Sequence, residues 1–354
     1  MTNKETYVIG LMSGTSLDGI DLVFTSFNDK NIKEFEIIYA KTFSYSGEWV
    51  DKLRNAIHLS SEDLELLNDE YGIFLGERIN EFIQEFKIKN IDFIASHGHT
   101  VFHQPEKGYT LQIGNGQKIA DKTNLEVICD FRTQDVKLGG QGAPLVPIGD
   151  ELLFGQYEYC LNLGGFANVS FNKENKRIAY DICAVNIVLN KLAQELGFEY
   201  DDSGNIAKSG EYLLQLGNDL RTIDYYKKQP PKSLGLEWVQ KEIFPKLFDA
   251  KRKPEDLLRT FTEHTAWALA KAFPKNAEVL ITGGGVYNVY LLERLQFYKQ
   301  LKIIIPDENL IEFKEALIFA FLGLLKKQGK VNCLQSVTGA SKNHSSGVVF
   351  QPKN

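Results

Sequence analysis

Twice along this chain, short runs of strand-forming residues follow one another across glycine-rich or polar turns, and each time alternating helical and extended segments come next. In the first half, residues 7–12, 20–27 and 35–42 read as an antiparallel meander. The first two runs are joined by Ser13-Gly14-Thr15-Ser16-Leu17-Asp18-Gly19, since β-branched and aromatic residues favour strands while Gly, Ser and Asp favour turns. In the second half EYCLNLG, ANVSFN and RIAYDI repeat the arrangement around Gly164-Gly165 and an NKENK turn. This order predicts an α/β fold of two similar lobes facing a central cleft.

Between the meanders, Leu64, Leu67, Tyr71, Phe74, Leu75, Ile79, Phe82, Ile83 and Phe86 recur at helical spacing after the possible cap Ser61. Gly72 and Gly76 each cost such a helix about 1 kcal/mol relative to Ala, so a close backbone neighbour is expected there. Strands IDFIAS, YTLQIG and EVICDF surround a helix at GQKIADKTN, and KLGGQGAPLVP then breaks the pattern, which places the domain junction there. After the second meander, helices are expected over 186–196, 238–248, 254–273, 287–295 and 312–327, with strands AEVLITG and LKIIIP. The lobes are drawn as 1–133 plus 340–354, and 134–339.

Composition narrows the function. A net charge of -6 leaves no global positive field for nucleic acid or an acidic membrane, so an anionic ligand must be held by local groups. Cys129, Cys160, Cys183 and Cys333 are widely spaced, with no CxxC pair and no His at zinc-finger intervals, which fits a reducing compartment. The N-terminal MTNKETYVIGLMSG lacks a signal-peptide apolar core, and the apolar run 317–325 is too short to span a bilayer. A cytoplasmic location is expected.

Three glycine turns each follow a strand: Ser13 to Gly19, Gly164-Gly165, and Gly283-Gly284-Gly285. None is a Walker A loop or a dinucleotide fingerprint. Glycine lets backbone N–H groups face an anion without a Cβ in the way, and nearby hydroxyls add donors. The other reading of each turn is a tight hairpin. Asp18 and Asp21 bracket the first turn and suit a magnesium ion or its waters, or else an Asx-turn and a solvated strand end. His97, His99 and His103 suit a metal if they share a strand face, or buried hydrogen bonding. Asp181, where a strand enters a helix, suits a general base in a cleft or a helix cap.

MSGTSLDGID, SHGHTVFH, DFRTQDVKLGGQGAPLVP, NLGGFANVS, TGGGVYN and SVTGAS, in that order, resemble the anhydro-N-acetylmuramic acid kinase family from about Val8 to Phe350. The resemblance implies duplicated ribonuclease H-like lobes of the actin, sugar kinase and heat-shock ATPase group. It also implies a reaction in which ATP and Mg²⁺ convert 1,6-anhydro-N-acetylmuramic acid and water into N-acetylmuramic acid 6-phosphate, in peptidoglycan recycling, and a homodimer. It carries the role of base to Asp181. ATP contacts fall on Gly14, Thr15, Ser16, Leu17, Asp18, Gly19, Ile20, Asp21, Gly164, Gly165, Asn168, Gly283, Gly284, Gly285 and Asn288. Contacts to the sugar fall on His97, Arg132, Asn186 and Glu315, with Asp18 and Asp21 toward the metal.

Arg132 suits a bidentate pair with the lactyl carboxylate of the sugar, or a salt bridge to Asp130 or Asp135. Lys232 suits a contact to substrate or phosphate, or a solvated loop. The family pattern Thr-Gly-Pro-Gly-Asn is replaced here by Ile182-Cys183-Ala184-Val185-Asn186. Without those glycines the backbone approaches a ligand less freely, so a kinase for another sugar is a second reading. An ATP-binding module without sugar kinase activity is a third.

Overall fold

The computed structural model describes residues 5–14, 17–248 and 252–353. They fall into two compact units, Met1–Phe154 with Phe313–Asn354, and Gly155–Glu312. The chain re-enters the first unit at Phe313, part-way along the helix Glu308–Lys327.

In the first unit, strands β1 (Glu5–Ser13), β2 (Gly19–Asn28) and β3 (Phe35–Ser44) form the antiparallel meander. Then come β4 (Phe93–Ser96), a separate hairpin of β5 (His99–Gln104) and β6 (Tyr109–Ile113), and β7 (Val127–Cys129). In the second unit β8 (Tyr159–Leu163), β9 (Phe166–Lys173) and β10 (Lys176–Ala184) repeat the meander, followed by β11 (Glu278–Thr282) and β12 (Lys302–Ile304). The last strand, β13 (Val348–Phe350), returns to the first sheet.

The sheet orders are β13-β7-β4-β1-β2-β3 and β10-β9-β8-β11-β12. In each, an antiparallel meander is continued from its first strand by two parallel strands, β4 and β7 in one and β11 and β12 in the other. This is the duplicated ribonuclease H-like arrangement expected from the sequence, with β13 added at one edge.

Each unit has its own core. The helix Ser61–Glu85 lays Leu64, Leu67, Tyr71, Leu75, Ile79 and Phe82 onto the first sheet, the face its periodicity predicts. Its cap is Ser60 rather than Ser61: the Ser60 side chain accepts a hydrogen bond from Asp63 N at 3.1 Å. The two helix glycines do sit against a neighbour. A Cβ on Gly72 would lie 2.7 Å from the Asn115 carbonyl oxygen, and one on Gly76 would lie 2.7 Å from Lys122 Cβ.

The unit boundaries, 154/155 and 312/313, differ from the junctions drawn at 133/134 and 339/340. After KLGGQGAPLVP the helix Val146–Leu153 stays with the first unit, and Phe154 meets Phe35 edge-on at 5.7 Å. The long helix near the C-terminus stays there too, since Phe321 packs on Phe27 and Phe319 on Phe131. Glycine-rich composition marked a real turn there, but burial keeps the following segment in the first core. No helix among the described residues is long and apolar enough to cross a membrane.

Candidate functional site

In the second unit, strand register gathers distant residues into one row. Thr282 on β11 is paired with Asn162 on β8, Asn162 with Asn168 on β9, and Asn168 with Asp181 on β10. Directly paired residues share a face, and their β8 neighbours Leu161 and Leu163 point into the core. Four strands thus present one line of polar side chains.

Both glycine turns of this unit lie beside the row, because Gly164-Gly165 follows β8 and Gly283-Gly284-Gly285 follows the adjacent parallel strand β11. Gly283 has φ +84°, and a Cβ there would lie 2.5 Å from Asn162 Oδ1, so the turn requires glycine. The amides of Gly164 and Gly283 are committed to the carbonyls of Phe166 and Ile311. Gly284 has open space where a Cβ would stand, and Gly165 has only Ile187 Cβ, at 3.8 Å. Thr282 Oγ1, next in the chain, is buried without a hydrogen-bond partner. Open backbone, an unpartnered hydroxyl and a polar row make a donor set that fits the phosphates of a nucleotide.

Asp181 is held from three sides. Its Oδ2 accepts from Leu234 N at 2.8 Å, its carbonyl accepts from the Tyr225 hydroxyl at 2.6 Å, and its N donates to the Lys232 carbonyl at 3.2 Å. Burial raises the pKa of its carboxyl, and the Leu234 amide opposes that rise, so the group is a stronger base than an ordinary aspartate. Lys232 is not a free loop lysine. Its Nζ lies 4.6 Å from the Tyr225 ring centre and 3.4 Å from the Tyr225 carbonyl oxygen, and burial lowers its pKa.

The Ile182-Cys183-Ala184-Val185 departure is absorbed by packing. All four side chains are buried in the core of this unit, and a bulge between Asp181 and Cys183 turns the strand. Val185 N donates to the Gly165 carbonyl at 2.8 Å and Asn186 N to the Gly164 carbonyl at 3.3 Å. Asn186 Nδ2 is 3.5 Å from the Leu163 carbonyl. Asn288 caps the helix Val289–Tyr298, accepting from Leu291 N at 2.9 Å.

In the first unit, Thr15 and Ser16 lie outside the described residues, and Gly14 and residues 17–21 flank them. Ser13 Oγ, Tyr45 OH and Tyr71 OH form a closed ring of hydrogen bonds at 2.9, 2.7 and 2.6 Å, which anchors the loop to the helix Ser61–Glu85. Leu17 holds φ +63°, a left-handed conformation unusual for a branched residue. Ile20 points into the core. Asp18 is exposed, and Asp21 Oδ1 accepts from Thr42 Oγ1 at 2.6 Å. One exposed carboxylate plus one oriented carboxylate fits magnesium, which keeps waters and takes few protein ligands.

His97, Arg132 and Glu315 also belong to this unit. Arg132 donates to His97 Nε2 from Nε at 3.0 Å and from Nη2 at 2.8 Å, and to the Gly142 carbonyl from Nη1 at 2.7 Å. The alternative salt bridges to Asp130 and Asp135 are not formed: Asp130 accepts from Thr133 N, and Asp135 from Gly142 N and Thr338 Oγ1. His97 Nδ1 faces the Gly98 carbonyl at 2.8 Å, so Nδ1 carries the proton and the ring is neutral. Burial and then Arg132 hold its pKa well below the ordinary value. Burial brings Arg132 down to about 10, with Glu315 opposing, and burial raises Glu315 while Lys314 and Arg132 oppose. The result is a cation steadied by a neutral imidazole and a nearby carboxyl. The three histidines do not form a metal cluster: His99 is buried, held down to about 4, and His103 pairs with Thr110 Oγ1.

The family model for anhydro-N-acetylmuramic acid kinase matches residues 6–352. The chain belongs to the anhydro-N-acetylmuramic acid kinase family. It is 34% identical over 98% of its length to an anhydro-N-acetylmuramic acid kinase of Mannheimia succiniciproducens, covering 99% of that protein. It is 32% identical over 97% of its length to one of Aliivibrio fischeri, covering 98% of that protein. Among solved structures, the activator of 2-hydroxyisocaproyl-CoA dehydratase from Clostridium difficile aligns with 91% of this chain and 97% of that one, at 16% identity and a TM-score of 0.42. As a member of this family the chain is a phosphotransferase, and a purely scaffolding ATP-binding role is not favoured.

Asn162, Thr282 and Tyr225 were missed by the sequence reading. Register reveals the first two, and their own strands carried a signal, since each is polar in an apolar run just before a glycine turn. Tyr225 had none.

Proposed function

We propose that this chain uses ATP to convert 1,6-anhydro-N-acetylmuramic acid and water into N-acetylmuramic acid 6-phosphate. The observation that carries the reading is Asp181, a part-buried carboxylate fixed through backbone bonds at the end of a polar row, in a chain of this kinase family. Asp181 takes a proton from a water whose oxygen bonds to the anomeric carbon. The bond from that carbon to O6 breaks, O6 bonds to the γ-phosphorus as the bond to the β-phosphate oxygen breaks and ADP leaves, and the proton on Asp181 passes to solvent.

Gly165, Gly284 and Gly285 offer backbone donors to the nucleotide, while Gly164 and Gly283, whose amides are bonded within the fold, shape the two turns, with Asn168 on the polar row and Asn288 following the third turn as a helix cap. Gly14, Thr15, Ser16, Leu17, Gly19 and Ile20 are assigned to ATP by the family motif in the sequence. Asp18 and Asp21 would hold magnesium, which when bound neutralises charge on the β- and γ-phosphates. Arg132, oriented by His97, pairs with the lactyl carboxylate, while Glu315 and Asn186 take sugar hydroxyl or amide groups. We further propose a homodimer in the cytoplasm, acting on a small amino sugar and on neither nucleic acid nor membrane. A net charge of -6 supports the last point.

The test is turnover with ATP, Mg²⁺ and a panel of anhydro and ordinary amino sugars. Product is expected only from the anhydro muramyl sugar. Equal or faster phosphorylation of another sugar overturns the substrate, and ATP binding with no sugar turned over overturns the reaction.

A further inference from the structure

Three side chains from distant parts of the chain converge inside the first unit: the Asp135 carboxylate, the Cys333 thiol and the His344 imidazole. All three are buried, and one donor atom from each lies within 4.8 Å of the other two. Backbone bonds hold two of them together. Cys333 N donates to the His344 carbonyl at 3.1 Å, and His344 N to the Cys333 carbonyl at 3.2 Å.

The imidazole is the informative group. Its Nδ1 lies 3.2 Å from the Lys342 carbonyl oxygen and donates to it, which leaves Nε2 as the ring atom turned toward the cluster. That Nε2 makes no hydrogen bond and stands 3.5 Å from Asp135 Oδ1. The separation exceeds the roughly 2.7–2.9 Å of a charge-assisted hydrogen bond. It does match the edge of a tetrahedron whose bonds to a central ion are about 2.0–2.1 Å, an edge of ~3.3 Å.

We propose that Asp135, Cys333 and His344 bind one zinc-type divalent cation, which clips the C-terminal segment to the short helix Thr133–Lys137 following Arg132. The donor set is one thiolate, one imidazole and one carboxylate, the mixture a borderline-soft ion takes. The Cys333 thiol gives its proton to solvent as the sulfur–metal bond forms, so two anionic ligands balance the ion and the bound site carries no net charge. Supporting contacts are in place: the Lys342 carbonyl fixes the ring tautomer, Gly142 N donates to Asp135 Oδ2 at 2.7 Å, and Thr338 Oγ1 donates to Asp135 Oδ1 at 2.7 Å. Nothing in the residue spacing foretold this, since Cys333 and His344 fit no finger pattern.

The experiment titrates Co²⁺ into the full-length, reduced, chelator-treated protein, followed by Zn²⁺. One equivalent of Co²⁺ is expected to bind with a thiolate-to-cobalt band in the near ultraviolet and tetrahedral bands in the visible. Zn²⁺ should displace it and raise the melting temperature. Cys333→Ser should remove the thiolate band, and His344→Gln, which keeps a polar side chain in place should the first variant not fold, should weaken binding about 100-fold or more. Cys160→Ser should change neither. No stoichiometric binding, which would leave a proton as the occupant of Nε2, overturns the proposal, as does a thiolate band that survives Cys333→Ser.

Discussion

The two units build the same meander and then put their acids on different strands. Counted from the hairpin tip, the second register row is Met12–Asp21–Thr42 in one unit and Asn162–Asn168–Asp181 in the other. In the first unit the carboxylate stands on the middle strand and is tied to the Thr42 hydroxyl. In the second it stands on the outer strand and is held by the Leu234 amide. The tips differ as well: residues 14–18 separate β1 from β2, whereas only Gly164-Gly165 separates β8 from β9. One scaffold thus carries a longer connection with an acid on the middle strand in one copy and a two-glycine turn with an acid on the outer strand in the other.

Exchange of acid for amide at the two equivalent levels breaks this contrast most directly. Asp181→Asn should lower kcat by about 10²–10⁴-fold with ATP binding retained, the range expected for loss of a general base. Asp21→Asn should leave kcat within about tenfold of wild type and raise the magnesium requirement. Equal losses in the two variants would remove the assigned division of labour. The pH profile sharpens it. A base works only when deprotonated, and burial places the Asp181 pKa above the ordinary carboxylate value, so kcat/KM should fall as pH drops through that raised pKa. The acid limb should disappear in Asp181→Asn.

Arg132→Met should raise KM for the sugar by about 10–100-fold and leave KM for ATP unchanged, from the loss of a charged hydrogen-bonding group; steady-state kinetics with each substrate varied in turn would check it. Gly283→Ala should destabilise the protein by about 1–3 kcal/mol in urea unfolding, because its backbone conformation and its contact with Asn162 both exclude a Cβ, and KM for ATP should rise. The smallest effect is expected of Tyr225→Phe, which loses the bond to the Asp181 carbonyl. Stability should drop by about 0.5–1.5 kcal/mol, and the acid limb should move only slightly.

Much of the architecture was legible because strand alternation and helical spacing are local properties. The meanders, the helix Ser61–Glu85 and its glycine slot all follow from runs of neighbouring residues. The unit boundaries were not, because the burial of Phe319 and Phe321 depends on partners far away in the chain. The same holds for chemistry. Asp181 and the glycine turns carry recognisable strings, whereas the polar row exists only through register, and Arg132 chose His97 over two carboxylates nearer in sequence. The Asp135, Cys333 and His344 cluster was invisible for that reason.

The bonds from Val185 and Asn186 to the carbonyls of Gly165 and Gly164 have a mechanical meaning. They rivet the acid-bearing strand to the tip of its neighbouring hairpin, so the two are held as one stiff plate. A substitution that loosened either rivet would let Asp181 drift relative to Gly164 and Gly165, and on the proposed mechanism turnover would fall through lost alignment although every reactive group was still present.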